Sequence, residues 1–233
     1  MHLRKVNLQS ARYPADDQYP FNLDIIRTTR EIDLDRPVTL FVGENGTGKS
    51  TVLKAICLKC GIHIWQLEEI RRHKYNPFED QLYRFMDVEW TDGSVPGAYF
   101  SAQIFEFFTQ MLDGCAAATP DILKYYGGSS LKAMSHGQSI ISYFEARYKI
   151  KGLYLLDEPE TALSPKSQLK LRDIIHKYAL AGNAQFIIAT HSPILLSTPG
   201  ARIYSFDTQT VVPVNFEETE HYKIYRDFFN HAQ

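Results

Sequence analysis

Val38-Thr39-Leu40-Phe41-Val42-Gly43-Glu44-Asn45-Gly46-Thr47-Gly48-Lys49-Ser50-Thr51-Val52-Leu53-Lys54-Ala55-Ile56-Cys57-Leu58-Lys59-Cys60 is the stretch on which the reading of the fold turns. Val38–Val42 is a short apolar, β-rich run that ends at Gly43, and Thr51–Cys60 carries the 3.6-residue period of a helix. Between them Gly43 to Ser50 fits G-x-x-x-x-G-K-[ST]. Glycines at these positions let backbone N–H groups turn inward around phosphate oxygens, and the helix that follows aims the positive end of its dipole at them. Strand, glycine loop and helix in succession make Glu44, Asn45, Gly46, Thr47, Gly48, Lys49, Ser50 and Thr51 the candidate phosphate cradle. Lys49 is placed to reach β- and γ-phosphates and the Ser50 hydroxyl to ligate Mg²⁺.

A second element lies downstream. Leu153–Leu156 is an apolar run that ends in Asp157 and Glu158. A carboxylate at the end of a buried parallel strand faces the phosphate loop, where open α/β sheets bind their ligands. Asp157 suits a Mg²⁺ shell, and Glu158 suits orienting and deprotonating an attacking water.

Three shorter stretches choose between families that share such a loop. Ser135-His136-Gly137-Gln138-Ser139 precedes a helical stretch and resembles the ABC signature, usually written L-S-G-G-Q, with Met134 in place of the leucine and His136 in place of the first glycine. Pro159-Glu160-Thr161-Ala162-Leu163-Ser164-Pro165 resembles the D-loop, and His191-Ser192-Pro193, after the apolar run Gln185–Thr190, resembles the switch histidine. Taken together, positions 38–193 look like the ABC-type ATPases. Asp-Glu-Pro-Glu and Ala-Thr-His-Ser-Pro resemble the non-transport branch, which holds RecF, SMC and OLD-type proteins and small stand-alone bacterial predicted ATPases. The resemblance implies ATP and Mg²⁺ as cofactors, a hydrogen bond from His191 to the γ-phosphate, and Ser135, Gly137 and Gln138 meeting the γ-phosphate held by a second copy. It also implies a Q-loop glutamine that touches Mg²⁺ or the attacking water. Gln103, after Ala98–Phe100, fills that role or is a polar position on an amphipathic helix, and Gln66 is its rival.

The expected fold is α/β: a P-loop NTPase core with a mostly parallel sheet, an antiparallel N-terminal edge and an inserted helical lobe carrying the signature. All 233 residues read as one domain. Residues 19–37 alternate apolar and charged positions as edge strands do, and the sequence changes character from about 61 to 134, so the lobe with its signature occupies about 61–150. It shows no sustained heptads and is too short for long coiled-coil arms. Pro165–Leu180 reads as a helix, Arg202–Phe206 with Val211–Val214 as a closing hairpin, and the last twenty residues as an acidic, aromatic surface helix.

Composition limits the partners. With 44% hydrophobic residues the chain can bury a core, and a formal charge of −2 produces no global field for nucleic acid or an anionic membrane, so any such contact is local. Without an apolar run of about 20 residues or a secretory leader, a cytoplasmic protein is expected. Cys57 and Cys60 share one helix face, and packing accounts for them better than metal or redox chemistry. Arg71-Arg72-His73-Lys74 reads as a solvated face before it reads as a phosphate contact, and Tyr13, Tyr19 and Phe21 are equal candidates to stack on adenine. The expected function is that of a Mg²⁺-dependent ATPase acting as an ATP-gated homodimer in DNA maintenance or antiviral defence, beside a separate effector protein. The alternative is the ATP-binding subunit of a membrane ABC transporter. A P-loop kinase leaves the signature and His191 unexplained.

Overall fold

A computed structural model describes residues 1–64, 76–126, 131 and 134–231. The chain runs β1 (Leu3–Leu8), α1 (Asp24–Thr28), β2 (Glu31–Asp33), β3 (Val38–Val42), α2 (Lys49–Lys59), β4 (Met86–Trp90), β5 (Gly97–Ser101), α3 (Ala102–Ala118) and α4 (His136–Arg147). It continues through β6 (Gly152–Asp157), α5 (Pro165–Leu180), β7 (Ala184–Ala189), α6 (Pro193–Leu196), β8 (Arg202–Ser205), β9 (Val212–Val214) and α7 (Glu220–His231).

Two sheets result. The larger has the order β5-β6-β7-β3-β8-β9 and is parallel except for β9, which returns antiparallel along β8. The smaller, antiparallel sheet has the order β2-β1-β4. The central parallel strands β3, β6 and β7 are near-continuously apolar because both of their faces are covered. On β6, Tyr154 and Leu156 join one core while Leu153 and Leu155 join the other, and on β7 Phe186 and Ile188 part in the same way from Ile187 and Ala189. The first core is closed by α4 and α5 through Ile140, Phe144, Leu171 and Ile175, and the second by α2 and the small sheet through Val52, Leu53, Ile56 and Val6.

The antiparallel edge has a different origin from the one its sequence implied. Within 19–37 only Glu31–Asp33 pairs as a strand, and Asp24–Thr28 is a single helical turn that buries Ile25 and Ile26 side by side. The pairing partners come from Leu3–Leu8 and from Met86–Trp90, far apart in the chain. The interval 61–150 contains β4 and β5, which belong to the two sheets; its α-helices among the described residues are α3 and α4, and Phe105, Leu112, Ile141 and Tyr143 pack them onto the first core. Among the described residues no helix is long and apolar enough to cross a membrane.

Candidate functional site

The parallel register sets the site. In the sheet, β7 lies between β3 and β6, so the segments leaving these three strands emerge side by side: the loop 43–48, Asp157-Glu158 and Thr190-His191. The loop bends at glycines because its backbone requires it. Gly46 has φ +83° and Gly48 +98°, and at Gly43, with φ +152°, an added Cβ would lie 2.9 Å from Asp207 Oδ1. That same oxygen accepts the Glu44 N–H at 2.6 Å, so a carboxylate just beyond β8 pins the mouth of the loop.

Lys49 begins α2 and folds back inside the loop, 4% exposed, donating to the carbonyls of Gly43 at 2.6 Å and Glu44 at 2.8 Å. Burial pulls its pKa below the ordinary lysine value, against the carboxylates of Glu158, Asp207, Asp157 and Glu44, which favour the charged form. Ser50 Oγ donates to Asp157 Oδ1 at 2.7 Å, and the other carboxylate oxygen accepts from the Tyr99 hydroxyl, also at 2.7 Å. Burial pushes the Tyr99 pKa far up, with Asp157 adding to it, so this hydroxyl remains a donor. A hydroxyl and a carboxylate at the foot of a phosphate loop are the hard oxygen donors that Mg²⁺ takes from a protein, with phosphate oxygens and water completing six ligands. Among the described residues no group of three or more His, Cys, Asp or Glu side chains is gathered for a metal, and a site of this kind needs none.

Glu158 has φ +46° and ψ +54°, the one positive-φ residue other than glycine among those described. Left-handed backbone costs a non-glycine residue about 1–2 kcal/mol and is held here by the Glu158 N–H donating to the Ala189 carbonyl at 2.9 Å. Its carboxylate lies 3.5 Å from His191 Nε2. The His191 backbone N–H donates to Glu160 Oε1 at 2.6 Å, and its Nδ1 is 3.0 Å from His221 Nε2, at the start of α7. Burial and then Lys49 lower the His191 pKa, with Glu158 opposing, so a neutral ring is favoured. Burial raises the Glu160 pKa, and the backbone N–H groups it accepts from oppose that shift.

The signature residues sit at the N-terminus of α4. Ser135 is the N-cap, and its N–H donates to the Gln138 side chain at 3.2 Å. Ser135, His136 and Gln138 are exposed. An added Cβ at Gly137 would come no nearer than 3.7 Å to its surroundings, Ser167 Oγ first and then the Ala162 carbonyl. This segment therefore borders residues 162–167 of its own chain, and packing among the described residues does not demand the glycine. Gln103 is exposed in the first turn of α3, two residues beyond Ser101, which pairs with Asp157. Gln66 and the run 71–74 lie outside the described residues.

Tyr13 and Phe21 pack together at 4.7 Å between ring centres, each with Phe85, whereas Tyr19 is 39% exposed and shares a hydrogen bond with Thr51 Oγ1 at 2.6 Å. Cys57 is buried and its pKa is raised by burial, and that of Cys60 is pushed up to about 12, which keeps both as thiols. Three contributors had no motif to announce them: Tyr99, Asp207 and His221. Tyr99 faces Asp157 through strand register, and the other two reach the site from the C-terminal third of the chain.

Comparison with known proteins bears on two stretches of the sequence and on the fold. Residues 22–83 match a family model described as an AAA domain, and residues 138–197 match one described as "AAA domain, putative AbiEii toxin, Type IV TA system". A nucleotide-free ATP-binding cassette from an ABC transporter is 13% identical, with a TM-score of 0.55 over 97% of this chain and 96% of that one. The ADP conformation of another ABC transporter cassette is 15% identical, also with a TM-score of 0.55, over 97% and 99%. Such identities speak for the fold alone. Two stretches of the chain, one with the glycine loop and one with the strand-end acids, are thus similar to AAA domains, and the fold is similar to that of ABC ATP-binding cassettes.

Proposed function

We propose that this chain binds ATP with Mg²⁺ and hydrolyses it as a homodimer that closes around the nucleotide. The observation that carries the reading is the Ser50–Asp157 hydrogen bond of 2.7 Å beneath a glycine loop already wrapped around Lys49. Ser50 and Asp157 would hold Mg²⁺, with Gln103 entering from the first turn of α3, and the ion supplies charge neutralisation at the phosphate oxygens. The N–H groups of residues 44–51 cradle the phosphates, and Lys49 turns from the loop carbonyls to the β- and γ-oxygens. Glu158 orients a water and takes its proton, and His191 donates from Nε2 to the γ-phosphate. Tyr19, beside Thr51 at the loop's exit, is the aromatic placed to stack on adenine.

Closure by a second copy is supported by the signature. Ser135, Gly137 and Gln138 expose a capped helix N-terminus whose glycine has room for a side chain among the described residues. A mixing experiment tests this. Lys49→Ala and Ser135→Arg chains are each expected to be inactive, yet their equimolar mixture should regain up to about half of wild-type phosphate release. The dimers that ATP can close are then all heterodimers, each with one of its two composite sites intact. A mixture as inactive as its components would remove the composite site.

For the biological setting we place the protein in DNA maintenance or antiviral defence with a separate effector, on the strength of its non-transport motifs and of the toxin-type model that matches residues 138–197. The reading as a transporter subunit has one observation in its favour, a cavity of about 240 Å³ lined by Phe100, Phe105, Phe108, Tyr143 and Arg147. That volume falls below the roughly 300 Å³ at which small-ligand pockets begin, far from what a docked helix needs.

A further inference from the structure

We propose that His221 is a positioning residue that fixes the tautomer of His191, so that the switch histidine presents a proton, and not a lone pair, from Nε2. The inference rests on the reading of His191 given above. Four nitrogen atoms and one carboxylate decide it. His191 Nδ1 and His221 Nε2 are 3.0 Å apart, with ring centres 5.2 Å apart, so one of the two must donate. His191 Nε2 lies 3.5 Å from Glu158 Oε1 without a hydrogen bond to it, and both His191 Nε2 and His221 Nδ1 are buried with no hydrogen-bond partner among the described residues.

With one proton on each ring, two arrangements are open to the pair. If His191 carried its proton on Nδ1 and donated to His221, its Nε2 lone pair would face the Glu158 carboxylate, and the His221 proton would sit on the partnerless, buried Nδ1. Both consequences are unfavourable: two acceptors face each other, and a buried N–H is orphaned. In the other arrangement His221 donates from Nε2 to His191 Nδ1, and His191 directs its Nε2 proton toward Glu158. His221 Nδ1 then keeps only an unpaired lone pair, the cheaper kind of orphan, and the His191 Nε2 proton, though it makes no hydrogen bond, faces a carboxylate at 3.5 Å. The hydrogen bond at one ring nitrogen sets the tautomer at the other.

That tautomer is the one the proposed chemistry uses, because a γ-phosphate oxygen is acceptor-only and needs a donor facing it. The hydrogen bond also links the first turn of α7 to the site. No charge is created by this arrangement, so His191 can stay neutral beside Lys49.

The test uses the full-length, nucleotide-free protein labelled with ¹⁵N in its imidazole rings. Long-range ¹H–¹⁵N correlation spectra, with His191 assigned by its loss in His191→Ala, report which ring nitrogen carries the proton. The Nε2–H tautomer is expected in the wild type, lost in His221→Phe and retained in His221→Gln, whose amide N–H₂ stands near the position of the imidazole Nε2. Phosphate release should fall about tenfold in His221→Phe with ATP affinity within about twofold, and His221→Gln should recover most of it. A His191 ring found as the Nδ1–H tautomer in the wild type, or unchanged in His221→Phe, overturns the proposal. Failure of the underlying reading looks different: His191→Ala would then hydrolyse ATP at the wild-type rate.

Discussion

Replacing Glu158 by Gln separates chemistry from binding, and the structure gives reasons to expect a clean result. The residue sits at φ +46°, where Gln and Glu carry the same backbone cost, so the fold should not notice the exchange. The side-chain oxygen that His191 faces at 3.5 Å survives as an amide oxygen. What disappears is the base and one negative charge. Without the base, turnover should fall about 10²-fold or more. A carboxylate about 4 Å from a phosphate oxygen repels it by roughly 4 kcal/mol at an effective dielectric of about 20, an upper scale that water in the half-exposed site reduces. Relief of part of that repulsion predicts ATP binding at least as tight as in the wild type. Each unhydrolysed ATP would then bridge two chains, and ligand bound only to the dimer stabilises it by mass action. Light scattering after size-exclusion chromatography should read a mass of 26.8 kDa without nucleotide and twice that with Mg²⁺ and ATP. A variant that binds ATP tightly and stays monomeric refutes the closed dimer, and a variant with full turnover refutes Glu158 as the base.

Three further outcomes follow from the same contacts. Lys49→Met should lose ATP binding in calorimetry while melting at the same or a higher temperature at pH 7. Burial lowers the lysine pKa, so its charged form costs the fold stability at every pH below the lowered value, a cost that fades as pH rises toward 10.5. Tyr99→Phe removes the donor to Asp157 Oδ2 and should raise the Mg²⁺ concentration for half-maximal phosphate release by about tenfold, at a stability cost of about 1 kcal/mol in a urea titration. Ser135→Arg should bind a fluorescent ATP analogue as a monomer with wild-type affinity yet fail to dimerise, and normal hydrolysis by this variant would end the ABC-type reading of the signature.

The sequence made the centre of the parallel sheet legible because β3, β6 and β7 are buried on both faces and therefore read as apolar runs, and both Val38–Val42 and the helix Pro165–Leu180 have the bounds their patterns implied. The antiparallel sheet was harder to read. β1 buries only one face, and its partners lie more than twenty residues away on one side and about eighty on the other, so no local period or turn announces the pairing. The same division runs through the site. Lys49, Ser50, Asp157, Glu158 and His191 sit at fixed distances from glycines and strand ends and could be named, whereas Tyr99, Asp207 and His221 act through register and tertiary approach, which leave no spacing to recognise.

Those three late arrivals share a physical role. Each holds a group whose own conformation would otherwise be free: Tyr99 fixes one Asp157 oxygen while Ser50 takes the other, Asp207 ties down the Glu44 N–H where the loop turns, and His221 fills one nitrogen of His191. A site that must switch between loaded and empty states gains from such restraints, because reacting groups then lose little freedom when nucleotide arrives. The signature at Ser135–Gln138 differs. It restrains itself by helix capping, leaves its hydroxyl and amide exposed, and borders the segment that follows Glu158 in its own chain. Restraint concentrated around one half of the site, with the other half presented preformed to solvent, is the arrangement a second copy can complete without remodelling either half.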